Sequence, residues 1–269
     1  MSISIQNVSV RFGGVVAVNG VSLEVESGRI TSVVGPNGSG KSTLFNAISG
    51  LVTLAEGSVS VDGNAVAAVT AAERVVLGIA RTFQTPRFDP KENVEQAVLC
   101  GFYPRAEVGL LATMLRLPSA AREERTLMEG CHRILQDLNL FELRNIPLGE
   151  LSMGQVRLVE VARAIANEPK YLLLDEPAAG LSRAEQRVLS DEIRRLAGRG
   201  LGVLLVEHNF NLVRELSEHV LVLDRGKPIL EGLPRDIEAN PEFVSLYLGS
   251  TAKSTGRSAA GAAAAATDH

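Results

Sequence analysis

The segment 35–43 combines three glycines with a lysine and hydroxyl side chains, directly after the short β-branched run 30–34. Gly35 is followed five residues later by Gly40, Lys41 and Ser42, which is the P-loop pattern. In such a loop, glycines let backbone N–H groups point at phosphate oxygens, and the next helix adds its positive end. Lys41 would reach the β- and γ-phosphates of a nucleotide and Ser42 would bind Mg²⁺. The predicted nucleotide-binding residues here are Gly35, Pro36, Asn37, Gly38, Ser39, Gly40, Lys41, Ser42 and Thr43.

Two adjacent acids follow a second apolar run. Asp175 and Glu176 come directly after residues 171–174, and open α/β sheets bind their ligands at the carboxyl ends of the strands. Asp175 suits a Mg²⁺ site, and Glu176 suits orienting and deprotonating an attacking water. An acidic turn before Pro177 is the alternative. The P-loop upstream favours the catalytic interpretation because the two motifs work together.

Elements that would position these residues can be predicted from periodicity. The β-branched run 30–34 is followed by a helical pattern, and the apolar runs 171–174 and 203–206 alternate with helical patterns, which predicts a parallel sheet buried on both faces. Period-two alternation over 3–10 and 21–26 predicts antiparallel strands. Turns are expected at Gly13-Gly14 and Asn19-Gly20 between them. The predicted fold is therefore α/β, with a parallel-sheet core and an antiparallel β subdomain.

Helical patterns complete the prediction. Thr70 and Glu73 form a capping-box pattern that predicts a short helix. Helical periodicity from about 92 to 143 predicts a helical subdomain at about 86–160. One terminal helix is expected over 234–247, and the alanine-rich segment 250–269 is predicted to be disordered.

Composition excludes several classes of protein. The chain has 269 residues, 27 basic and 31 acidic, with a net charge of −4, so general nucleic-acid binding is disfavoured. No apolar run reaches the roughly 20 residues that span a bilayer. The opening residues lack the pattern of a secretion signal, which predicts a cytoplasmic protein. Cys100 and Cys131 are expected to be reduced, buried thiols.

A further motif carries a family resemblance. The sequence Leu151-Ser152-Met153-Gly154-Gln155, upstream of the acids, is similar to the LSGGQ signature of the ATP-binding-cassette ATPases. The resemblance implies a P-loop ATPase cassette over 1–249, with a helical subdomain. It also implies that Ser152, Gly154 and Gln155 bind ATP held by another subunit. Ser152 and Gln155 also form a capping box, and the two roles are compatible.

The resemblance extends to other positions. Gln84 in the segment Arg81-Thr82-Phe83-Gln84 matches the glutamine of the family's Q-loop. His208, after the run 203–206, matches the histidine that contacts the γ-phosphate. The implied catalytic residues are Glu176, His208, Gln84 and Lys41, and the implied metal ligands are Ser42, Gln84 and Asp175. Phe12 lies where the family has an aromatic residue that stacks on adenine; the alternative is a core side chain.

One position departs from the family pattern. Ser182 stands where the family usually has the aspartate of the D-loop. The segment 178–181, Ala-Ala-Gly-Leu, is similar to that of importer ATPases for branched-chain amino acids, as are 11–14 with 17–19, 81–84, 207–209 and 247–249. Urea and short-amide importers share most of these motifs.

The resemblance implies an ATP-hydrolysing importer subunit that uses ATP and Mg²⁺. It implies two membrane-spanning permease subunits and a second ATPase subunit, either a sibling or a second copy, as partners. A solute-binding protein would act indirectly, no nucleic acid is expected, and the location would be peripheral on the inner face of the cell membrane.

Two alternatives remain open on the sequence. A soluble cassette ATPase acting on DNA, ribosomes or iron–sulfur assembly would usually have two cassettes or a long coiled coil, and this sequence has one P-loop and no sustained heptads. A P-loop kinase would use Ser152 only as a helix cap and would yield a phosphorylated product.

Overall fold

The structure is a computed structural model that describes residues 1–83, 88–105 and 118–246. Its strands are β1 (Ser2–Phe12), β2 (Val15–Glu26), β3 (Ile30–Val34), β4 (Glu56–Val61), β5 (Asn64–Ala65), β6 (Ile79–Arg81), β7 (Tyr171–Asp175), β8 (Gly202–Val206), β9 (His219–Asp224) and β10 (Lys227–Gly232). Its helices are α1 (Lys41–Ile48), α2 (Ala71–Val76), α3 (Val94–Leu99), α4 (Pro118–Asp137), α5 (Met153–Ile165), α6 (Arg183–Gly198), α7 (Phe210–Leu216) and α8 (Pro234–Glu238).

The larger sheet has six strands in the order β10-β9-β3-β8-β7-β6. Strands β9, β3, β8, β7 and β6 are parallel, and β10 pairs antiparallel with β9. Every residue of β3, β7 and β8 is buried, as expected for strands covered on both faces. The predicted α/β class and parallel core are confirmed. The carboxyl ends of β3, β8 and β7 lie side by side.

The smaller sheet is antiparallel, in the order β2-β1-β4-β5. Gly13-Gly14 forms the predicted turn between β1 and β2. The turn predicted at Asn19-Gly20 is wrong, because both residues lie inside β2. There the register passes from Val8 opposite Val21 to Val10 opposite Val18, so β2 has one extra residue. Gly20, with a φ of 64°, accommodates this β-bulge.

The helix predicted after Thr70 is present. The Thr70 hydroxyl accepts a hydrogen bond from the Glu73 N–H at 3.3 Å, and the Glu73 carboxylate accepts one from the Thr70 N–H at 2.8 Å. Helix α2 ends at Val76, and Gly78 turns the chain with a φ of 97°. The following strand, β6, is absent from the sequence prediction because three residues give too short a pattern.

The single terminal helix predicted over 234–247 is wrong. Helix α8 ends at Glu238, and a second helical stretch covers 241–246. Pro241 has no N–H with which to continue the first helix. The Asn240 side chain instead accepts a hydrogen bond from the Glu242 N–H at 2.9 Å, which caps the second stretch.

Helices dominate the described residues between positions 88 and 165. They are α3, α4, α5 and the short 3₁₀ helices Cys100–Arg105, Phe141–Leu143 and Leu148–Glu150. Their apolar side chains share one core with residues of β7, β8 and α6. The helical subdomain at 86–160 and the boundary at 249 stay predictions. The predicted tail at 250–269, like Tyr247-Leu248-Gly249, lies outside the described residues.

A second core fixes the start of α1. Phe45 and Leu44 pack with residues of both sheets, including Val18, Leu173 and Leu204. Because these side chains are almost completely buried, the helix after the P-loop is held by both sheets.

The two thiols differ. Cys131 is buried and burial raises its pKa to about 12, whereas Cys100 is exposed. The expectation that Cys100 is buried is therefore wrong: Cys100 is the C-cap residue of α3, whose buried residues are Val94, Ala97 and Val98. No helix in the described ranges combines the length and the apolar character needed to cross a membrane.

Candidate active site

The loop between β3 and α1 has a backbone that only glycine can adopt at two positions. Gly35 and Gly40 have φ angles of 151° and 101°. A Cβ at Gly35 would lie 2.1 Å from the Leu223 carbonyl oxygen, and one at Gly40 would lie 2.5 Å from the Ala17 carbonyl oxygen. The loop is therefore packed against both sheets. At Gly38, by contrast, a Cβ would meet nothing within 4 Å.

Lys41 is folded over this loop. Its Nζ donates to the carbonyl oxygens of Gly35 at 2.7 Å and Pro36 at 3.0 Å. Burial lowers the pKa of Lys41, and the charges of Glu176 and Asp175 oppose this shift. The ammonium group thus lies at the loop with two carboxylates near it.

An open cavity of about 470 Å³ lies over the loop. Its lining residues are Val15, Val16, Ala17, Asn37, Gly38, Gly40, Lys41, Ser42, Thr43, Glu176 and Arg225. Pro36 is half-buried beside it, and Ser39 is buried with no hydrogen-bond partner for its Oγ among the described residues. Phe12 is 53% exposed and lies opposite the cavity residue Val15 in the β1–β2 register. Six of the nine loop residues predicted from sequence thus line one cavity, namely Asn37, Gly38, Gly40, Lys41, Ser42 and Thr43.

Asp175 ends β7 and is almost fully buried. Its Oδ2 pairs with Nη2 of Arg81 at 3.1 Å. Burial raises the pKa of Asp175, and the Arg81 charge opposes this effect. Arg81 also donates from Nη1 to the Asn46 side chain at 2.6 Å, so it joins β6 to α1. Sequence reasoning did not assign a role to Arg81, although this arginine stands three residues before Gln84 in the same motif.

Glu176 stands on the cavity wall in a strained conformation. Its φ is 47°, a left-handed value that is uncommon outside glycine and recurs at functional sites. Its N–H donates to the Val206 carbonyl at 2.9 Å, and Oε2 lies 3.7 Å from Nδ1 of His208. Since β7 and β8 are neighbours, the two side chains predicted to be catalytic lie close together.

Glu207 is a residue that sequence reasoning missed. Its side chain is completely buried, and it accepts hydrogen bonds from the N–H groups of Ala178 at 3.0 Å and His208 at 3.3 Å. Burial raises the pKa of Glu207. The carboxylate thus fixes the segment after Glu176 to the segment that contains His208. A charged residue directly after the buried run 203–206 is the signal that could have indicated it.

The signature-like residues lie elsewhere. Ser152 caps α5, accepting a hydrogen bond from the Gln155 N–H at 3.3 Å, while the Gln155 side chain accepts one from the Ser152 N–H at 2.9 Å. Of Ser152, Gly154 and Gln155, none lies on the wall of the P-loop cavity as the described residues define it. By contrast, Lys41 feels the charges of Glu176 and Asp175, and Glu176 lies 3.7 Å from His208.

The available oxygens suit a nucleotide with Mg²⁺. The Ser42 hydroxyl lines the cavity and the Asp175 carboxylate is next to the acid on its wall; hydroxyl and carboxylate oxygens are ligands that Mg²⁺ prefers. The unpartnered buried Oγ of Ser39 leaves a polar group of the loop free for a ligand. Gln84, predicted as a third ligand, lies outside the described residues.

Comparison with known proteins gives a consistent result. The ABC transporter family matches residues 18–179. The chain is 36% identical to the high-affinity branched-chain amino acid transport ATP-binding protein BraF of Pseudomonas aeruginosa, covering 92% of this chain and 97% of BraF. It is 32% identical to LivG of Escherichia coli, over 92% and 97% of the two chains. It is 37% identical to the probable LivG of Archaeoglobus fulgidus, over 91% and 94%.

Solved structures agree with the fold. A nucleotide-free ATP-binding cassette from an ABC transporter has a TM-score of 0.81 and 32% identity, covering 92% of this chain and 99% of the other. The ADP conformation of an ATP-binding cassette has the same TM-score and identity, covering 93% and 99%.

Proposed function

The chain belongs to the ABC transporter family, and from this membership we propose that it is the ATP-hydrolysing subunit of an importer for branched-chain or related hydrophobic amino acids. Membership of this family means that the chain is an ATPase. The solute class is supported by BraF and the LivG proteins, which are named for branched-chain amino acid transport and match nearly their whole length. A related small solute, such as urea or a short amide, is the alternative.

One observation supports the hydrolytic mechanism above all. The P-loop, Asp175, Glu176 and His208 follow or end β3, β7 and β8, whose carboxyl ends lie side by side. Glu176 and most of the P-loop line one cavity, and Glu176 lies 3.7 Å from His208. The loop amides and Lys41 would hold the phosphates, with the ammonium exchanging its bonds to Gly35 and Pro36 for bonds to phosphate oxygens. Phe12 and Val15 would offer apolar surface to the base.

Glu176 and His208 would act on the attacking water. Glu176 orients this water and accepts its proton as the water oxygen bonds to the γ-phosphorus and the bond to the β-phosphate oxygen breaks. His208 holds the γ-phosphate and the carboxylate in position. Mg²⁺, held by Ser42 and Asp175 and by the predicted ligand Gln84, would neutralise charge on the phosphates.

Two subunits are needed to complete the site. Ser152, Gly154 and Gln155 lie apart from the cavity of their own chain, and Ser152 and Gly154 are at the N-terminus of α5, where anions are favoured. We therefore propose a head-to-tail dimer in which ATP lies between Lys41 of one subunit and Ser152 of the other. The second subunit is a sibling ATPase or another copy of this chain.

Glu176→Gln tests this mechanism. Losing the general base should lower turnover by about 100-fold or more and leave an ATP-stabilised dimer. Phosphate release and size-exclusion chromatography in saturating ATP measure both. Glu215→Gln, at an exposed acid paired with Arg194, should behave like the parent. A Glu176→Gln protein that stays monomeric and hydrolyses ATP at the parent rate would overturn the proposal.

Transport implies further partners and a place in the cell. We propose two permease subunits, an indirect link to a solute-binding protein, and a peripheral position on the cytoplasmic face of the membrane. Affinity purification from membranes in mild detergent, followed by mass spectrometry, should recover two multi-spanning proteins and a second cassette. Recovery with ribosomes or DNA-repair proteins instead would favour a soluble cassette ATPase.

The solute class is tested by uptake. Cells lacking this chain should lose uptake of labelled leucine, isoleucine and valine and recover it with the parent gene. Complementation with Lys41→Ala should fail, because this variant lacks the phosphate-binding ammonium. If the parent gene restores uptake of urea or a short amide but not of these amino acids, the transported solute is urea or the amide.

A further inference from the structure

The carboxylate of Glu185 joins two functional loops. Glu185 is the third residue of α6, which follows the loop containing Ser182. Its Oε2 accepts hydrogen bonds from the N–H and the hydroxyl of Ser182, at 3.0 and 2.8 Å. Its Oε1 accepts from the Ser152 hydroxyl at 2.9 Å and from the Gly154 N–H at 3.0 Å. One side chain therefore holds the D-loop position and the signature together.

Helix capping explains only half of this arrangement. A capping box at Ser182 needs one carboxylate oxygen, and Oε2 supplies it. Oε1 reaches donors 33 and 31 residues earlier in the chain, at the N-terminus of a different helix. The second pair of bonds therefore needs a separate explanation.

The signature is shaped to admit this carboxylate. A Cβ at Gly154 would lie 2.6 Å from both Cγ and Oε1 of Glu185, so a side chain there would displace it. The four donors lower the pKa of Glu185 to about 2, because each hydrogen bond favours the ionised carboxylate. An anion beside the first N–H groups of α5 is stabilised by the dipole of that helix.

We propose that Glu185 is a positioning residue that occupies, in the isolated subunit, the anion site of the signature. This inference rests on the proposed function, which assigns Ser152 and Gly154 to the γ-phosphate of the partner's ATP. Glu185 keeps the signature and the D-loop in register before the partner arrives. Closure of the dimer then exchanges the carboxylate for the phosphate.

The exchange follows from donor capacity and charge. The Ser152 hydroxyl has one hydrogen and the Gly154 amide has one, so neither can bond fully to both anions. A carboxylate left in place would also repel the γ-phosphate at short range. Glu185 thus sets the ATP concentration at which two subunits close.

Glu185→Gln in a Glu176→Gln chain tests the exchange. Glutamine preserves size but removes the charge, so the ATP concentration for half-maximal dimer, read by light scattering, should fall about fivefold or more. ATP affinity of the monomer, measured by calorimetry, should not change, because Glu185 does not line the cavity. Asp191→Asn, which removes a charge of the same helix paired with Arg194, should leave both quantities at parent values.

The sign of the effect separates exchange from a purely structural role. A residue needed only for folding would raise the ATP requirement when replaced, so an unchanged or higher value for Glu185→Gln overturns the inference. Glu185→Ala provides a second variant and should also lower the requirement.

A measurement on the monomer tests the role of Glu185 separately from the formation of the dimer. If the Glu176→Gln parent does not dimerise in ATP, two copies of this chain do not form the proposed dimer, and the second subunit is the sibling ATPase. The Gly154 amide then reports on its contact with Glu185 in the isolated chain. Its ¹H and ¹⁵N chemical shifts should change in Glu185→Gln and remain unchanged in Asp191→Asn. Unmoved shifts in Glu185→Gln would overturn the inference.

Discussion

At the scale of single residues, the two buried side chains Asp175 and Glu207 have different kinds of partner. Asp175 has the guanidinium of Arg81 at 3.1 Å. Glu207 instead accepts backbone N–H groups, including those of Ala178 and His208. Asp175 is therefore sensitive to the position of β6, whereas Glu207 fixes the backbone on either side of the catalytic pair.

Replacing Glu207 should uncouple the catalytic segments. In Glu207→Ala the N–H groups of Ala178 and His208 lose their buried acceptor, which we expect to cost about 2 kcal/mol of unfolding free energy. Turnover should fall about tenfold or more, because the segment after Glu176 and the His208 segment lose a shared anchor. Urea unfolding, phosphate release and nucleotide calorimetry measure these effects.

Nucleotide affinity is the internal control, since Glu207 does not line the cavity. Glu215→Ala, at an exposed position, should match the parent in all three measurements. Parent-like turnover in a folded Glu207→Ala protein would contradict this role.

Glu185 predicts a pH dependence of stability. Its pKa falls from an ordinary 4.5 to about 2 in the folded chain, so the unfolded chain binds the proton first. Its contribution is complete above about pH 4.5 and is lost as the pH falls towards 2. The difference in unfolding free energy between the parent and Glu185→Gln should therefore be constant from pH 7 to 5 and shrink below that. A difference that grows on acidification would contradict the assignment.

At the scale of elements, the P-loop obtains its shape from close packing against both sheets. Gly35→Ala places a methyl group against the Leu223 backbone and should cost about 3 kcal/mol or more. Gly38→Ala meets open space and should cost only about 1 kcal/mol, for its positive φ. Urea unfolding of both variants gives the comparison. Equal destabilisation would show that packing against β9 does not fix the loop.

The elements also show what periodicity can predict. The runs that became β7 and β8 are apolar and the run that became β3 is β-branched, and the motifs after them locate Lys41, Asp175, Glu176 and His208. The Arg81–Asp175 pair and the contacts of Glu185 with Ser152 and Gly154 are beyond sequence reasoning, because they depend on which distant strands and helix ends become neighbours. The bulge at Gly20 and the break at Pro241 show local backbone chemistry overriding a regular pattern.

At the scale of the whole molecule, the proposed dimer predicts complementation. Lys41→Ala leaves the signature intact, and Ser152→Arg leaves the P-loop intact, so each protein alone should hydrolyse ATP slowly. A mixture should form composite sites that pair the intact P-loop of the Ser152→Arg protein with the intact signature of the Lys41→Ala protein. Phosphate release by the mixture should exceed the sum of the separate proteins and rise with total protein concentration.

The control for this experiment is a mixture of Lys41→Ala with Lys41→Ala,Ser152→Arg, which has no intact P-loop. This mixture should stay inactive. If the first mixture gives only the sum of its components, two copies of this chain do not share ATP.

The position of β3 in the large sheet has a consequence for the order of folding. Both of its partners, β8 and β9, are synthesised long after it, and the contacts that press on Gly35 come from the end of β9. The antiparallel sheet, built from the first 65 residues, has all its strands much earlier. During synthesis at roughly 5–20 residues per second, the nascent chain therefore spends many seconds with its P-loop sequence emerged and its P-loop unformed. Nucleotide cannot assist the early steps of folding; it can stabilise only a chain that is nearly complete.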